Sequence, residues 1–243
     1  MIRRVCAALA ACLCLAAPAW ASTGYYLVSV YENEGERAVD FRYWSVKARD
    51  GSVVSSPELG VSWSPTRAWY TNLRAIGLRT PEDGSHIAGI GWQNDLLLTH
   101  GQYAFDLALH TDLTRFRDAA DGIELEFGPV LHTEIGRTQF NANLLFSRTY
   151  RAEQGEPMEM AYQWQARHRF TRALQFGLQG FGELGTWNDW APRREQSHRI
   201  GPVFAGEVET AGGHAWKYEI AWFAGKVRAA SAQTLSLRLQ ATF

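Results

Sequence analysis

In the run Gly122-Ile123-Glu124-Leu125-Glu126-Phe127-Gly128-Pro129-Val130-Leu131-His132-Thr133-Glu134, apolar and polar residues trade places at nearly every step. Ile123, Leu125, Phe127, Pro129 and Leu131 share one parity; Glu124, Glu126, Gly128, Val130, His132 and Glu134 share the other. Successive side chains of a strand point to opposite faces, whereas a helix repeats every 3.6 residues, so this is a strand with one apolar and one polar face.

The same period recurs on both sides of it. Phe140, Ala142, Leu144 and Phe146 oppose Gln139, Asn141, Asn143 and Ser147; Met160, Tyr162, Trp164 and Ala166 oppose Glu159, Gln163, Gln165 and Arg167. Leu174, Phe176 and Leu178 oppose Gln175, Gly177 and Gln179, and Trp216, Tyr218, Ile220 and Trp222 oppose Lys217, Glu219 and Ala221. The chain closes with Leu235, Leu237, Leu239, Ala241 and Phe243 against Ser236, Arg238 and Gln240. Noisier segments precede them around Val39 to Tyr43, Leu59 to Trp63, Trp69 to Leu73, Ile90 to Trp92 and Tyr103 to Leu109. Counted from Val39 onward there are twelve such segments, these eleven among them, which leave room for strands of about 10 to 14 residues, long for a soluble sandwich and suited to a tilted membrane strand.

Composition narrows the class. The chain has 243 residues, 46% hydrophobic and 13% aromatic, which is too apolar for a disordered protein. Its net charge of −1 offers no basic surplus for nucleic acid. Cys6, Cys12 and Cys14 all lie at the amino terminus, so the body holds no disulfide and no thiolate metal site.

Met1 to Ala21 reads as a cleaved signal peptide: Arg3 and Arg4, an apolar run from Val5 to Ala17, then Ala19-Trp20-Ala21. That run falls short of the ~20 residues that a spanning helix needs. Residues 22–243 then form a single domain. The polar parity is richer in charge than a soluble sandwich core tolerates, so the expectation is a transmembrane antiparallel β-barrel of about 12 strands, with 10 or 14 as alternatives. An even barrel has both termini on the periplasmic side, which makes Tyr25 to Glu32 surplus as a strand. Residues 22–37 are therefore an amino-terminal segment in or beneath the lumen, or a hairpin partner.

Connections sort into two kinds. Short ones fall near Ser64-Pro65-Thr66, Thr99-His100-Gly101, Gly136-Arg137, Thr171-Arg172 and Ala211-Gly212-Gly213. Longer polar ones span Lys47 to Pro57, Arg79 to Ser85, Thr114 to Asp121, Arg151 to Pro157, Trp187 to Ser197 and Lys226 to Gln233. Short periplasmic turns and longer extracellular loops are the pattern of an outer-membrane barrel. Aromatic residues near strand ends (Tyr25, Tyr26, Trp44, Trp63, Trp69, Tyr150, Phe170, Trp187, Trp190, Trp216) fit interfacial girdles.

The stretches Gly24-Tyr-Tyr-Leu-Val-Ser-Val-Tyr31, Asp40-Phe-Arg-Tyr-Trp44, Trp92-Gln-Asn-Asp95, Phe127-Gly-Pro-Val130 and Phe176-Gly-Leu-Gln-Gly-Phe-Gly-Glu183 carry a resemblance over essentially the whole mature chain. The chain resembles a family of uncharacterised outer-membrane β-barrel proteins from Gram-negative bacteria. The resemblance implies a barrel in the bacterial outer membrane and transfers no site. Phe243 ending the last strand looks like the signal by which such barrels are inserted. The implied partners are outer-membrane lipid and lipopolysaccharide, periplasmic chaperones and the barrel-assembly machinery, with no nucleic acid; the oligomeric state is left open.

If the apolar parity faces lipid, the lumen receives Asp40, Arg42, Arg74, Asp95, Asp106, His110, Glu124, Glu126, His132, Glu134, Gln163, Gln165, Arg167, Glu183, Arg199, Glu207, Lys217, Glu219 and Arg238. With Glu58, Asp112, Arg169 and Glu209 included, acids outnumber bases twelve to seven, a field that favours cations. Inward Gly128, Gly177 and Gly201, two of them followed by Pro129 and Pro202, suggest bulges or close backbone approach.

The function these features imply is a passive, porin-like pore or a structural barrel, with no cofactor, no metal and no catalytic residue. An alternative is a surface hydrolase of the protease, lipase or deacylase type, built on His110 with Asp112, His86 with Asp83 or His198 with Glu195. No G-x-S-x-G or H-E-x-x-H motif supports it. His132 with Glu134 and Glu124 reads either as a metal cluster or as a hydrogen-bonded lumen histidine. A non-conducting adhesion or binding barrel would use the loop around Trp187 and Trp190, whose rings suit sugars, a constriction or the lipid interface.

Overall fold

Alternation over nearly the whole chain becomes, in a computed structural model, one closed sheet. The structure describes residues 25–29, 34–99, 101–153, 155, 157–210, 212–227 and 230–243. The signal-peptide reading of Met1 to Ala21, with its three cysteines, lies outside the described residues.

Among the described residues there are thirteen strands: β1 (Arg37–Ala48), β2 (Val53–Thr66), β3 (Trp69–Thr80), β4 (Gly84–Leu97), β5 (Asp106–Phe116), β6 (Ile123–Ile135), β7 (Thr138–Tyr150), β8 (Glu159–Arg169), β9 (Gln175–Thr186), β10 (Asp189–Trp190), β11 (Ser197–Glu209), β12 (Ala215–Val227) and β13 (Ala230–Thr242). Consecutive barrel strands pair antiparallel, β9 with β11, and β1 returns to β13 with Ala38 opposite Thr242 and Ala48 opposite Ala232. β10 is a two-residue ladder beside the end of β9. The ring is therefore a closed barrel of twelve strands, which leaves no sheet edge.

The face assignment is legible in exposure. On β2, Glu58 is 6% exposed while its neighbour Leu59 and the next residue of that parity, Val61, are each 59% exposed. An outer surface carrying Leu73, Ile90, Trp92, Phe204, Ile220 and Trp222 is an apolar band far beyond what water tolerates. The band lies on strands. No helix among the described residues is long and apolar enough to cross a membrane.

We call the end where β1 begins and β13 ends the near end. Turns there run from tight ones, 67–68 and 136–137, to the wider 98–105. At the far end the strands continue well into the segments expected as loops: β3 and β4 are joined by 81–83, β12 ends at Val227 and β13 starts at Ala230. The contrast between short and long connections is thus much weaker than the sequence suggested. Polar residues extend the ladder there because closure supplies every backbone group with a partner whatever the side chain. The 151–158 and 187–196 connections remain the longer ones.

Two Gly-Pro-Val pieces shape the ladder. The pairing of β6 with β7 lapses between Phe127–Phe146 and Val130–Asn143, and that of β11 with β12 between Ile200–Ala224 and Val203–Ala221. Proline has no N–H to give, so the gap falls at Pro129 and Pro202. The strands pinch together there: a Cβ on Gly128 would lie 1.9 Å from the Leu144 carbonyl oxygen, and one on Gly201 1.7 Å from that of Trp222. Register is unbroken across both gaps, so close approach, and not a bulge, is what these glycines serve. Register shifts occur elsewhere, at Trp63/Thr66, Ile76/Gly77 and Met160/Ala161.

Candidate functional site in the lumen

Inward side chains of β1 to β6 and β13 form a dense polar wall. Asp40 accepts two bonds from Arg42, at 3.0 and 2.9 Å, and two from Arg238, at 3.2 and 2.9 Å. Arg42 also donates to Gln93 at 3.2 Å, Gln93 donates to Asp95 at 2.7 Å, and Asp95 lies 2.5 Å from His110 Nδ1. The other ring nitrogen of His110 is 3.4 Å from Glu126. Beside this chain Arg74 bridges Glu58 at 3.0 Å and Asp112 at 2.6 Å. All but Arg238 among these are buried. Charges so enclosed persist only when paired, and each guanidinium here holds a carboxylate or amide on another strand.

The opposite wall carries a smaller network. Arg167 donates to Glu219 at 3.1 Å and to Gln139 at 3.0 Å, and Gln165 donates to Gln179 at 2.8 Å. His132 Nδ1 meets Asn141 at 2.7 Å, with Glu134 3.7 Å from its other nitrogen. Arg199 pairs with Glu183 at 2.5 Å, and Lys217 with Glu36 at 2.5 Å. Glu124 is buried toward the far end of β6, and Glu207 stands half-buried at the near end of β11. Asp106 instead ties the β4–β5 turn, accepting from Thr99 Oγ1 at 3.1 Å and from the Gly101 amide at 3.0 Å.

Between the walls runs the amino-terminal segment. Tyr26, Leu27 and Val28 are buried. The Val28 amide donates to Gln163 on β8 at 3.1 Å, and its carbonyl accepts from Asn143 on β7 at 2.9 Å. The Val28 side chain packs on Ala108 and Val130, while Tyr25 packs beside Phe181, Val203, Ala221 and Phe223. Arg42 stands 5.7 Å from the centre of the Tyr26 ring. Residues 25–29 thus touch strands on both sides of the barrel.

Three residues assigned to the girdles belong here instead. Trp44 shares the parity of Asp40 and Arg42 and so turns inward, buried against Tyr25; Tyr25 and Tyr26 precede the first strand. The outer aromatics are as expected in kind: Trp63, Trp69, Tyr150, Phe170, Trp187, Trp190 and Trp216 are exposed.

The histidine pairs of the hydrolase alternative do not form. His110 is wholly enclosed between Asp95 and Glu126, while Asp112 is held by Arg74. His198 meets Tyr162 and Gln196, each at 3.0 Å, and among the described residues His86 and Asp83 do not touch. Glu124 is absent from the surroundings of His132, and no group of three metal-binding side chains occurs among the described residues.

Sequence reasoning missed three apolar residues buried on the inner face, Leu145, Phe181 and Phe223, the last two of which pack with Tyr25. Their signal is doubled apolarity, Leu144-Leu145 and Trp222-Phe223, or an aromatic on the polar parity, Gly180-Phe181-Gly182.

No protein-family model matches the chain, and no curated protein matches it. Its fold resembles that of an outer-membrane channel from Pseudomonas putida F1, at a TM-score of 0.59 and 9% identity, over 92% of this chain and 99% of that one. The beta domain of the Bordetella autotransporter BrkA matches at 0.48 and 14% identity, over 87% and 99%. The CymD monoaromatic hydrocarbon channel matches at 0.46 and 8% identity, over 87% and 88%. The chain has the closed antiparallel architecture of outer-membrane β-barrels.

Proposed function

We propose that this chain is a channel of the bacterial outer membrane, held closed in this conformation by residues 25–29. One observation supports the reading above others: both backbone groups of Val28 are bonded to amide side chains of the wall, Gln163 and Asn143, and not to a strand ladder. Contacts of that kind are individually modest, ~0.5–1.5 kcal/mol each, and can be exchanged for water. A permanent wall element would join the sheet.

In this reading the signal peptide is removed after Ala21 and the chain reaches the outer membrane through periplasmic chaperones. The barrel-assembly machinery then inserts it, with Phe243 as the terminal signal. The near end is periplasmic, because both ends of an even barrel lie there. Lipid and lipopolysaccharide cover the apolar band. Trp187 and Trp190, exposed at the far end, anchor the outer interface.

Opened, the pore leans toward cations. Asp40, Glu58, Asp95, Asp112, Glu124 and Glu126 on the β1–β6 wall face three guanidinium groups, those of Arg42, Arg74 and Arg238, and acidic excess in a narrow lumen attracts positive ions. Planar-bilayer recording of the refolded mature chain under a potassium chloride gradient tests it. Brief cation-leaning openings are expected. A reversal potential of anion-selective sign contradicts the charge assignment. Silence from chain lacking 25–29 contradicts the channel and favours a purely structural barrel, which the dense lumenal packing also suits.

A further inference from the structure

Apolar side chains on the inner face gather where the amino-terminal segment lies, and the gathering around Tyr25 has the make-up of a ligand site. The Tyr25 ring stands edge-on to Trp44, with centroids 5.2 Å apart at 81°, and to Phe181, at 6.1 Å and 75°. Phe181 is itself edge-on to Phe223 at 5.1 Å. Over the Tyr25 ring lies Arg199, its guanidinium carbon 3.9 Å from the ring centre. An aromatic ring between aromatic edges and a cation is a favoured arrangement for a planar π-system.

The guanidinium is only partly used. Its Nη2 donates to Glu183, while Nε and Nη1 are buried and have no hydrogen-bond partner among the described residues. Buried N–H groups left without acceptors are uncommon and costly. A residue serving only to fill space would need no such donors beside it. Tyr25, moreover, belongs to no strand and can leave without disturbing the ladder.

We infer that the box formed by Trp44, Phe181, Phe223 and Arg199 is a binding site for small monocyclic aromatic solutes bearing an oxygen acceptor, and that Tyr25 is its tethered occupant. Freed of the backbone that fixes Tyr25, the solute's ring turns within the box so that its oxygen meets the donors of Arg199 that are spare when Tyr25 occupies it, and residues 25–29 are released from the lumen. The inference rests on the channel reading for the solute's route, but the site itself is tested without current.

The probe is p-cresol, which is the tyrosine side chain freed of its backbone, with toluene as the analogue lacking oxygen. Binding is measured by calorimetry on the refolded mature chain in one detergent, subtracting the partition seen with Tyr25→Ala/Phe181→Ala. A tethered competitor acts at millimolar effective concentration, so Tyr25→Ala binds p-cresol about tenfold or more tighter than wild type. One charge-assisted hydrogen bond separates the probes, so p-cresol exceeds toluene by about tenfold in Tyr25→Ala. Arg199→Met in that background removes the donors, leaves the 39%-exposed Glu183 side chain to water, and erases the preference. Equal p-cresol affinity in wild type and Tyr25→Ala, or binding indifferent to Phe181→Ala, overturns the site. Conductance through Tyr25→Ala without p-cresol binding removes the site and leaves the channel; binding without conductance does the reverse.

Discussion

Gln163 accepts the amide proton of Val28 at 3.1 Å, although the two residues are 135 positions apart in the chain. This bond fixes the depth at which the amino-terminal segment sits, because Asn143 holds the carbonyl of the same residue and also donates to Gln163 at 3.0 Å. Around it the Val28 side chain meets Ala108 and Val130. Val28 is therefore the point at which the segment is easiest to dislodge by one change.

Val28→Asp places a carboxylate against an apolar recess at a cost of several kcal/mol unless the segment moves out. The strands are untouched, so unfolding in urea shifts little. Openings in a planar bilayer are expected to rise by about tenfold or more, the population change that a bias above ~1.4 kcal/mol produces.

Arg74 is the sole cation bridging Glu58 and Asp112 among the described residues, and all three are buried. Arg74→Met leaves two carboxylates facing each other without it. A loss of roughly 3–5 kcal/mol in urea unfolding from lipid vesicles is expected. Arg167→Met, on a residue whose side chain is 20% exposed, should cost clearly less. Equal losses would show that the enclosed network contributes nothing beyond surface ion pairs.

His110 tells a structural role from a hydrolytic one. His110→Phe removes the partner that Asp95 and Glu126 share, and lower stability by a similar ~3–5 kcal/mol is the expected outcome. His198→Ala loses contacts to Tyr162 and Gln196 near the far end and should change stability by under ~1 kcal/mol. Hydrolysis of a lipid or peptide substrate that disappears in His198→Ala while the barrel stays folded would establish the enzyme alternative.

Gly201→Ala pushes a methyl carbon to 1.7 Å from the Trp222 carbonyl oxygen, so β11 and β12 must separate at Pro202. The expected cost is roughly 1–3 kcal/mol, with lower refolding yield on gels that resolve folded from unfolded barrel. Gly91→Ala meets mainly the end of the Arg74 side chain, at 2.8 Å. That side chain is also the one holding Glu58 and Asp112, so this variant reports on the network and not on strand spacing.

Much of this barrel is legible in one strand. The parity of Glu124, Glu126, Gly128, Val130, His132 and Glu134 is the inner face throughout β6, and the same rule places Trp44 inside once Asp40 and Arg42 are read with it. Twelve strands follow from counting such runs, because a two-residue period leaves no freedom in which face is polar. Which inward residues meet is not legible: Arg42 reaches Gln93 and Arg238 reaches Tyr70 only through barrel closure, over separations that no local pattern encodes. Loop lengths are overstated in the sequence because polar residues at the far end of β1, β2 and β13 look like turn sequence, yet the ladder carries them. The site around Tyr25 was hidden for a different reason. Phe181 and Phe223 are apolar residues on the polar parity, and they make sense only when another segment of chain covers them.

The most direct test compares single-channel current through the refolded mature chain with current through the same chain lacking residues 25–29, in one bilayer and one salt gradient. Rare, brief openings in the first and sustained cation-leaning conductance in the second are the expected pair. A deleted chain that is folded, inserted and silent, or one that conducts no more than the intact chain, would contradict a lumen closed by its own amino-terminal segment.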